Sequence, residues 1–288
     1  MKILILGASG AVGLPLYQKL SSMPGYSVHG TYNSNPVNEH DAAWHKYTMG
    51  ETSIEHILQS VRPNIVISSL NGDFETQLAE HEKICEHIKN TGGRLIFIST
   101  ANVFDGDVTG GHSEIKKPHP ASRYGIFKYK CEKLIQEVLP ADSLIIRIPK
   151  VVDTATVNAW LDQARTGSPA IYNNLRLSLN SAGSIANAIA HCIATNTNGV
   201  VHLTSHDSMT FASIIEMLCG NYSMQNGEPL SVFGGPSLDL SISEYCKMLS
   251  IDGGVLHGER NEIDLSLASV NTEIASLFDI SCAEVLRL

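Results

Sequence analysis

Met1-Lys2-Ile3-Leu4-Ile5-Leu6-Gly7-Ala8-Ser9-Gly10-Ala11-Val12-Gly13 opens the chain, and its reading decides the fold. Ile3 to Leu6 is apolar without alternation, the pattern of a strand buried on both faces of a parallel sheet. The run ends on three glycines spaced three apart, after which Leu14, Leu16, Tyr17 and Leu20 keep helical spacing. A strand that feeds a helix through Gly-rich backbone aims several N–H groups and the positive helix end at one spot. That spot attracts a pyrophosphate. In this reading Gly7 permits the tight turn, Gly10 lets the backbone approach the phosphates, and Gly13 lets the helix lie close to the strand. Ser9, Ala11 and Val12 belong to the same turn and are expected to line the same dinucleotide site.

Working outward, strand and helix patterns alternate. Ser27 to Tyr32 reads as a second strand and Ile54 to Val61 as a helix that Arg62-Pro63 breaks. Asn64 to Leu70 is a buried strand, Leu78 to Ile88 a helix stopped by Gly92-Gly93, and Arg94 to Thr100 a strand. A polar loop from Asp105 to Ser122 precedes a helix from Tyr124 to Val138 and a strand from Ser143 to Ile148. Such alternation implies an α/β fold of the Rossmann type, a doubly wound parallel sheet with helices on both faces. Beyond Pro149 the pattern loosens. Helices are expected at Val157–Ala164, Ile185–Ala194 and Phe211–Leu218, and a strand at Val200–Leu203. Gly220 to Pro236 reads as loop with one short strand. Residues 1–150 are thus expected to form the nucleotide-binding domain and 151–288 a smaller substrate lobe, some of whose segments return to the first domain.

Composition sets the bounds. A chain of 288 residues with 43% hydrophobic and 17% charged residues has the make-up of an ordinary globular protein. Its net charge of −9 argues against a nucleic-acid partner, which needs a basic patch. It does not forbid an anionic nucleotide, because local backbone dipoles bind phosphate on an acidic protein. No leader pattern precedes Ile3 and no apolar stretch reaches membrane-spanning length, so a cytoplasmic location without membrane contact is expected. Cys85, Cys131, Cys192, Cys219, Cys246 and Cys282 are far apart and read as buried free thiols. The histidines, including His29, His40, His45, His81 and His87, show no metal-ligand spacing and read as surface or packing residues. No metal is expected.

Tyr124-Gly125-Ile126-Phe127-Lys128 is a Tyr-x-x-x-Lys pair. Four residues apart on a helix, phenol and ammonium share a face and reach one ligand. The ammonium is expected to favour the phenolate and lower the phenol's pKa, while also holding a ribose hydroxyl of the cofactor. The pair then serves as proton donor and acceptor for carbonyl–alcohol interconversion beside a nicotinamide ring. Tyr129 and Lys133 repeat the spacing, but Tyr129 lies about 140° around the helix from Tyr124, so the two cannot face one site. Tyr124 is favoured because it starts its helix after a strand and loop, at the carboxyl edge of the sheet where ligands bind. A hydroxyl at the preceding strand end would polarise the carbonyl, and Ser99 and Thr100 both stand there.

These residues resemble the extended short-chain dehydrogenase/reductase family, and within it the dTDP-4-dehydrorhamnose reductases. That group carries Ser-Thr-Asp-Tyr-Val-Phe-Asp-Gly at the strand end, and Ser99 to Gly106 matches it at six of eight places. Its Tyr-Gly-x-x-Lys-x-x-x-Glu is met by Tyr124, Gly125, Lys128 and Glu132, with its spacing from Thr to Tyr kept. Arg62-Pro63, Arg147-Ile148-Pro149 and Arg260-Asn261 before Leu265 also match. The resemblance implies that Thr100, Tyr124 and Lys128 are the catalytic triad and that Ser69 and Leu70 help to bind cofactor. It further implies reduction of a keto group on a nucleotide-linked sugar, with a homodimer as a possible assembly. A non-catalytic NAD(P)-binding regulatory subunit, like that of methionine adenosyltransferase, and a nucleotide-sugar epimerase or dehydratase are the alternatives.

The chain also departs from the group. Asp-Tyr after the Thr is Ala101-Asn102 here, which removes contacts attributed to the sugar side. The Asn-Ala-Ala-like strand end is Ser68-Ser69-Leu70-Asn71, the acidic residue near the adenine is Thr48, and the Asn of the next helix is Gln77. An acidic residue after the second strand would bind the adenosine ribose and favour NAD. Thr31-Tyr32-Asn33-Ser34 has none, and Tyr32, Asn33 and Ser34 are expected to receive the ribose. With no carboxylate to repel a 2′-phosphate, NADP(H) is favoured over NAD(H).

Overall fold

β1 (Lys2–Leu6) lies in the middle of a seven-stranded sheet, as its unbroken apolar run requires. The computed structural model describes residues 1–226 apart from 35–36, 38–40, 108–111, 167–175 and 206–207, and of residues 176 and 220–226 it describes the backbone alone. After β1 come α1 (Gly13–Ser21), β2 (Ser27–Tyr32), β3 (Trp44–Lys46), α2 (Ile54–Val61), β4 (Ile65–Ser68), α3 (Phe74–Thr91) and β5 (Arg94–Thr100). A single 3₁₀ turn, Ala101–Phe104, precedes α4 (Arg123–Val138) and β6 (Ser143–Ile148). The remainder is β7 (Lys150–Val152), α5 (Thr154–Thr166), β8 (Arg176–Leu177), β9 (Leu179–Ser181), α6 (Ala182–Ala194), β10 (Gly199–His202), β11 (Met209–Thr210) and α7 (Phe211–Asn226).

The sheet order is β10-β6-β5-β4-β1-β2-β3, so the strand order reverses beside β1, between β4 and β2. β1 pairs in parallel with both neighbours, Ile3 lying opposite Val28 and Ile65. Because side chains alternate across the sheet, Leu4, Leu6, Val66, Leu95 and Phe97 face one core, shared with α2, α3 and α4. Ile3, Ile5, Ile67 and Ile96 are buried on the opposite face, and α1 rests against β1 and β2. Each such side chain fully buried contributes about 1.5–3 kcal/mol. This is the doubly wound parallel sheet expected from the alternating pattern.

Helix limits follow local chemistry. Ser53 caps α2 by accepting from the His56 N–H, and Arg62 ends it in the left-handed region at φ 51°. Asp73 caps α3 by accepting from Thr76, and Gly92 at φ 75° closes it. The helix is therefore a turn longer at its start than the apolar spacing indicates, since capping rather than packing sets that end. α7 also runs through Asn226, so Gly220 to Asn226 is helix and not the loop read from its composition. The rest of that reading, residues 227–236, lies outside the described residues. The short strands β3, β7, β8, β9 and β11 have no sequence signature, because two or three residues cannot display a period.

The chain gathers into two compact units. The first holds Met1–Thr100, Arg123–Arg147 and Ile185–Val201. The second holds Ala101–Ser122, Ile148–Ser184 and the described residues from His202 on. In the second, β7 pairs in parallel with β9 and β8 antiparallel with β11. Trp160, Leu161, Phe211, Ile214 and Leu218 form its core, the Trp160 and Phe211 rings meeting edge to face at 5.2 Å. Cys85, Cys131, Cys192 and Cys219 are buried free thiols, as expected; Cys246, Cys282, His40 and the Arg260-Asn261 match lie outside the described residues.

Candidate active site

The turn after β1 is built on two steric necessities. Gly7 has φ 76°, and a Cβ there would stand 2.7 Å from the Ser69 carbonyl oxygen. A Cβ on Gly13 would run into the Gly7 carbonyl, so only glycine lets α1 start this close to β1. The turn is pinned by the Gly7 N–H donating to Thr31 Oγ1 at 2.9 Å and the Gly10 N–H donating to the Gly7 oxygen at 3.0 Å. Gly10 differs from its companions. It is exposed, and a Cβ there would meet nothing nearer than the Gly7 oxygen at 3.2 Å. Val12 precedes α1 without a side-chain cap, Ala11 is exposed and Ser9 half-buried. An open patch at an uncapped helix start suits a phosphate, so the residues fit a dinucleotide.

At the end of β2, the Tyr32 carbonyl accepts from the Tyr47 N–H at 2.8 Å, and Asn33 Oδ1 accepts from the Thr48 hydroxyl at 2.9 Å. The residues expected at the ribose and at the adenine are thus joined by one hydrogen bond, and Ser34 is exposed beside them. Behind Thr48, the Tyr47 phenol donates to buried Glu80 at 2.7 Å, and Lys83 binds the other oxygen of that carboxylate at 3.0 Å. Burial and Glu80 push the Tyr47 phenol far above its usual range. Neither Tyr47 nor Glu80 stood out in the sequence, since they are thirty-three residues apart and match no motif.

Ser69 follows β4 and is tied to β1 through its N–H and hydroxyl, both donating to the Leu6 oxygen, at 3.0 and 2.9 Å. Leu70 turns its side chain into the core, which leaves its backbone at this edge. One helix on, buried Gln77 donates to the Gly72 oxygen at 2.9 Å.

Ser99 and Thr100, equivalent in the sequence, are separated by the structure. Thr100 shares a hydrogen bond with the Tyr124 phenol. Ser99 points the other way and donates to the Glu132 carboxylate. Tyr124 is 38% exposed, while Lys128, one turn along α4, is only 6% exposed. The Lys128 ammonium donates to the Ile98 carbonyl at 3.0 Å and lies 4.7 Å from the centre of the Phe97 ring. Burial pushes its pKa down to about 8, against a pull upward from Cys131 and Glu132. The Tyr124 phenol is raised above its ordinary value by burial, with the Thr100 bond drawing it back. The expected lowering by Lys128 is not found, because the ammonium is turned to the Ile98 carbonyl and sits 5.9 Å from the Tyr124 ring centre. Tyr124 therefore holds its proton at neutral pH, the state a general acid needs. Thr100 bonds that phenol, and Lys128 stands one turn along the same helix. A nicotinamide bound here would supply the hydride.

A buried ion pair anchors this arrangement within the first unit. The Glu132 carboxylate is paired with Arg147 at 2.8 Å, both fully or nearly fully buried. In the second unit, buried Asp105 accepts from the Ala121 and Ser122 N–H groups at 2.5 and 3.0 Å and from the Ser122 hydroxyl. Gly106 lets the backbone touch the opposite strand of that loop, its N–H donating to the His119 oxygen at 2.8 Å. These contacts give the Val-Phe-Asp-Gly and Lys-x-x-x-Glu stretches a physical meaning that spacing does not reveal.

Comparison with known proteins places the chain. The sequence model of the RmlD substrate binding domain matches residues 1–231. A probable low-salt glycan biosynthesis reductase of Haloferax volcanii is 22% identical, over 92% of this chain and 90% of that protein. The structure of a hypothetical dTDP-4-dehydrorhamnose reductase from Sulfolobus tokodaii has a TM-score of 0.67 at 22% identity, covering 82% of this chain and 85% of the other. A dTDP-4-dehydrorhamnose reductase from Clostridium acetobutylicum has a TM-score of 0.72 at 16% identity and covers both chains fully. With a family match over four-fifths of its length and the sheet order and site described above, the chain belongs to the RmlD substrate binding domain family, within the extended short-chain dehydrogenase/reductases.

Proposed function

We propose that the protein is an NAD(P)-dependent reductase acting on a keto group of a nucleotide-linked sugar. The observation that carries this reading is the Thr100–Tyr124 hydrogen bond with Lys128 one turn along the same helix. A nicotinamide held here would supply hydride to the carbonyl carbon, while Tyr124 gives its proton to the oxygen and Thr100 holds that oxygen in place. Gly7, Ser9, Gly10, Ala11, Val12 and Gly13 hold the pyrophosphate, and Ser69, Leu70 and Lys128 the nicotinamide half. Tyr32, Asn33 and Ser34 hold the adenosine ribose. NADP(H) is favoured, because no carboxylate follows β2 to repel a 2′-phosphate. Among relatives of this fold, one from Bacillus anthracis is described in complex with NADP and one from Bordetella bronchiseptica with NAD and UDP.

The test is a screen of nucleotide-4-ketosugars that follows NADPH absorbance. Stoichiometric NADPH consumption supports the reductase. Turnover of the sugar without net consumption makes the protein an epimerase or dehydratase, and cofactor binding with no turnover makes it a binding subunit.

A further inference from the structure

Among the buried polar groups of the first unit are three hydrogen-bonded sets: Tyr47 with Glu80, Ser68 with His81, and Ser99 with Glu132 and Arg147. The third lies nearest in the chain to the candidate catalytic pair. Glu132 stands four residues past Lys128 and Ser99 immediately precedes Thr100. Glu132 is fully buried, and Arg147 grips it with Nη2 at 2.8 Å and Nε at 3.1 and 3.3 Å, while Ser99 donates to Oε1. Well-packed apolar residues stabilise a core as well as a buried ion pair does, so packing alone does not account for the set. Its placement does. Residues four apart on a helix share a face, so the carboxylate stands one turn from the buried ammonium, and its charge favours the protonated form of Lys128.

The groups around Lys128 are Tyr124, Cys131 and Glu132 on α4 and His81 on α3, with Cys85 behind Cys131 and Arg147 of β6 behind Glu132. β5 offers the Phe97 ring and the Ile98 carbonyl. Among these described groups, Glu132 is the only carboxylate.

We propose that Glu132 is a positioning residue for the Tyr124–Lys128 pair, clamped by Ser99 and Arg147 so that it ties α4 to the end of β5 and fixes a carboxylate one helical turn from the Lys128 ammonium. Burial drives that ammonium toward its neutral form, and Glu132 opposes the loss. Its bearing on turnover rests on the reductase reading; its effect on Lys128 does not.

The test follows the ¹³Cε signal of Lys128 in ¹³C-lysine-labelled protein through a pH titration, assigned by its loss in Lys128→Met. Glu132→Gln keeps the shape and removes the charge, leaving Arg147 unopposed, so the titration midpoint should fall by about one pH unit. Arg147→Met leaves the carboxylate unopposed and should raise the midpoint by a similar amount. A merely structural role predicts no such opposite pair of shifts. Should one variant not fold, the direction of the other decides. If neither folds, Ser99→Ala keeps both charges but frees the carboxylate to withdraw toward Arg147, and the midpoint should fall by about half a unit. An unmoved midpoint in the folded variants, or a shift of the wrong sign, overturns the proposal. With a ketosugar in hand, the alkaline limb of kcat should move with the NMR midpoint. A wild type that oxidises no NADPH refutes the reductase reading, while the NMR result still decides the role of Glu132.

Discussion

His81 Nε2 accepts the Ser68 hydroxyl at 2.8 Å, so α3 is fastened to the last residue of β4 through a histidine with no exposed surface. Its Nδ1–H donates to the Gln77 carbonyl at 2.6 Å, which fixes the neutral tautomer. Burial lowers its pKa to about 4, with Lys128 adding to the effect and the Gln77 bond opposing it.

That histidine makes a stability prediction with a definite sign. A group with a depressed folded pKa takes up protons more readily when unfolded, so its contribution to stability is complete above pH 6.5. It is lost as pH falls toward 4. His81→Gln is expected to be less stable than wild type at pH 7, and the gap should narrow by about 3 kcal/mol on going to pH 4. Urea unfolding at a series of pH values measures it; a gap independent of pH would show that His81 does not titrate as its burial requires.

Gly10 and Gly13 should separate binding from folding. In Gly10→Val the Cβ meets only the Gly7 oxygen, at 3.2 Å, and the variant is expected to abolish dinucleotide binding in a folded protein. Gly13→Ala instead drives a Cβ into the Gly7 carbonyl and should destabilise the fold. Calorimetric titration with NADPH, paired with thermal unfolding, distinguishes the two. Wild-type affinity in Gly10→Val would remove the phosphate from this turn.

Asn33→Asp introduces a negative charge where the ribose is proposed to lie, next to Thr48. Repulsion of the 2′-phosphate should shift preference toward NADH by about tenfold or more. The measurement is the ratio of the NADPH and NADH dissociation constants in wild type and variant. An unchanged ratio places the ribose elsewhere.

Tyr124→Phe deletes the hydroxyl that bonds Thr100 but leaves the ring to pack beside Phe74, whose centre is 6.0 Å away. Turnover should fall by about 10²–10⁴, the usual cost of losing a general acid, with little change in NADPH affinity. Tyr129→Phe should be nearly silent, since Tyr129 faces away from that site. Single-turnover NADPH oxidation compares them. A dead Tyr129→Phe or a fully active Tyr124→Phe would reverse the assignment.

What the sequence determined by itself is the frame. A continuous apolar run before three spaced glycines can be satisfied only by a buried strand turning sharply into a helix, and repetition of strand and helix periods then commits the chain to a parallel sheet. The Tyr-x-x-x-Lys spacing likewise put two side chains on one helix face before any tertiary contact was considered. Tertiary structure alone decided which strand-end hydroxyl meets Tyr124, since Ser99 and Thr100 are adjacent and chemically alike. They differ only in the side of β5 from which each leaves, one toward Glu132 and the other toward the phenol. It also decided the charge state of the pair. Burial and the Ile98 carbonyl hold Lys128 away from the phenol, and those are contacts across thirty residues that local spacing does not encode.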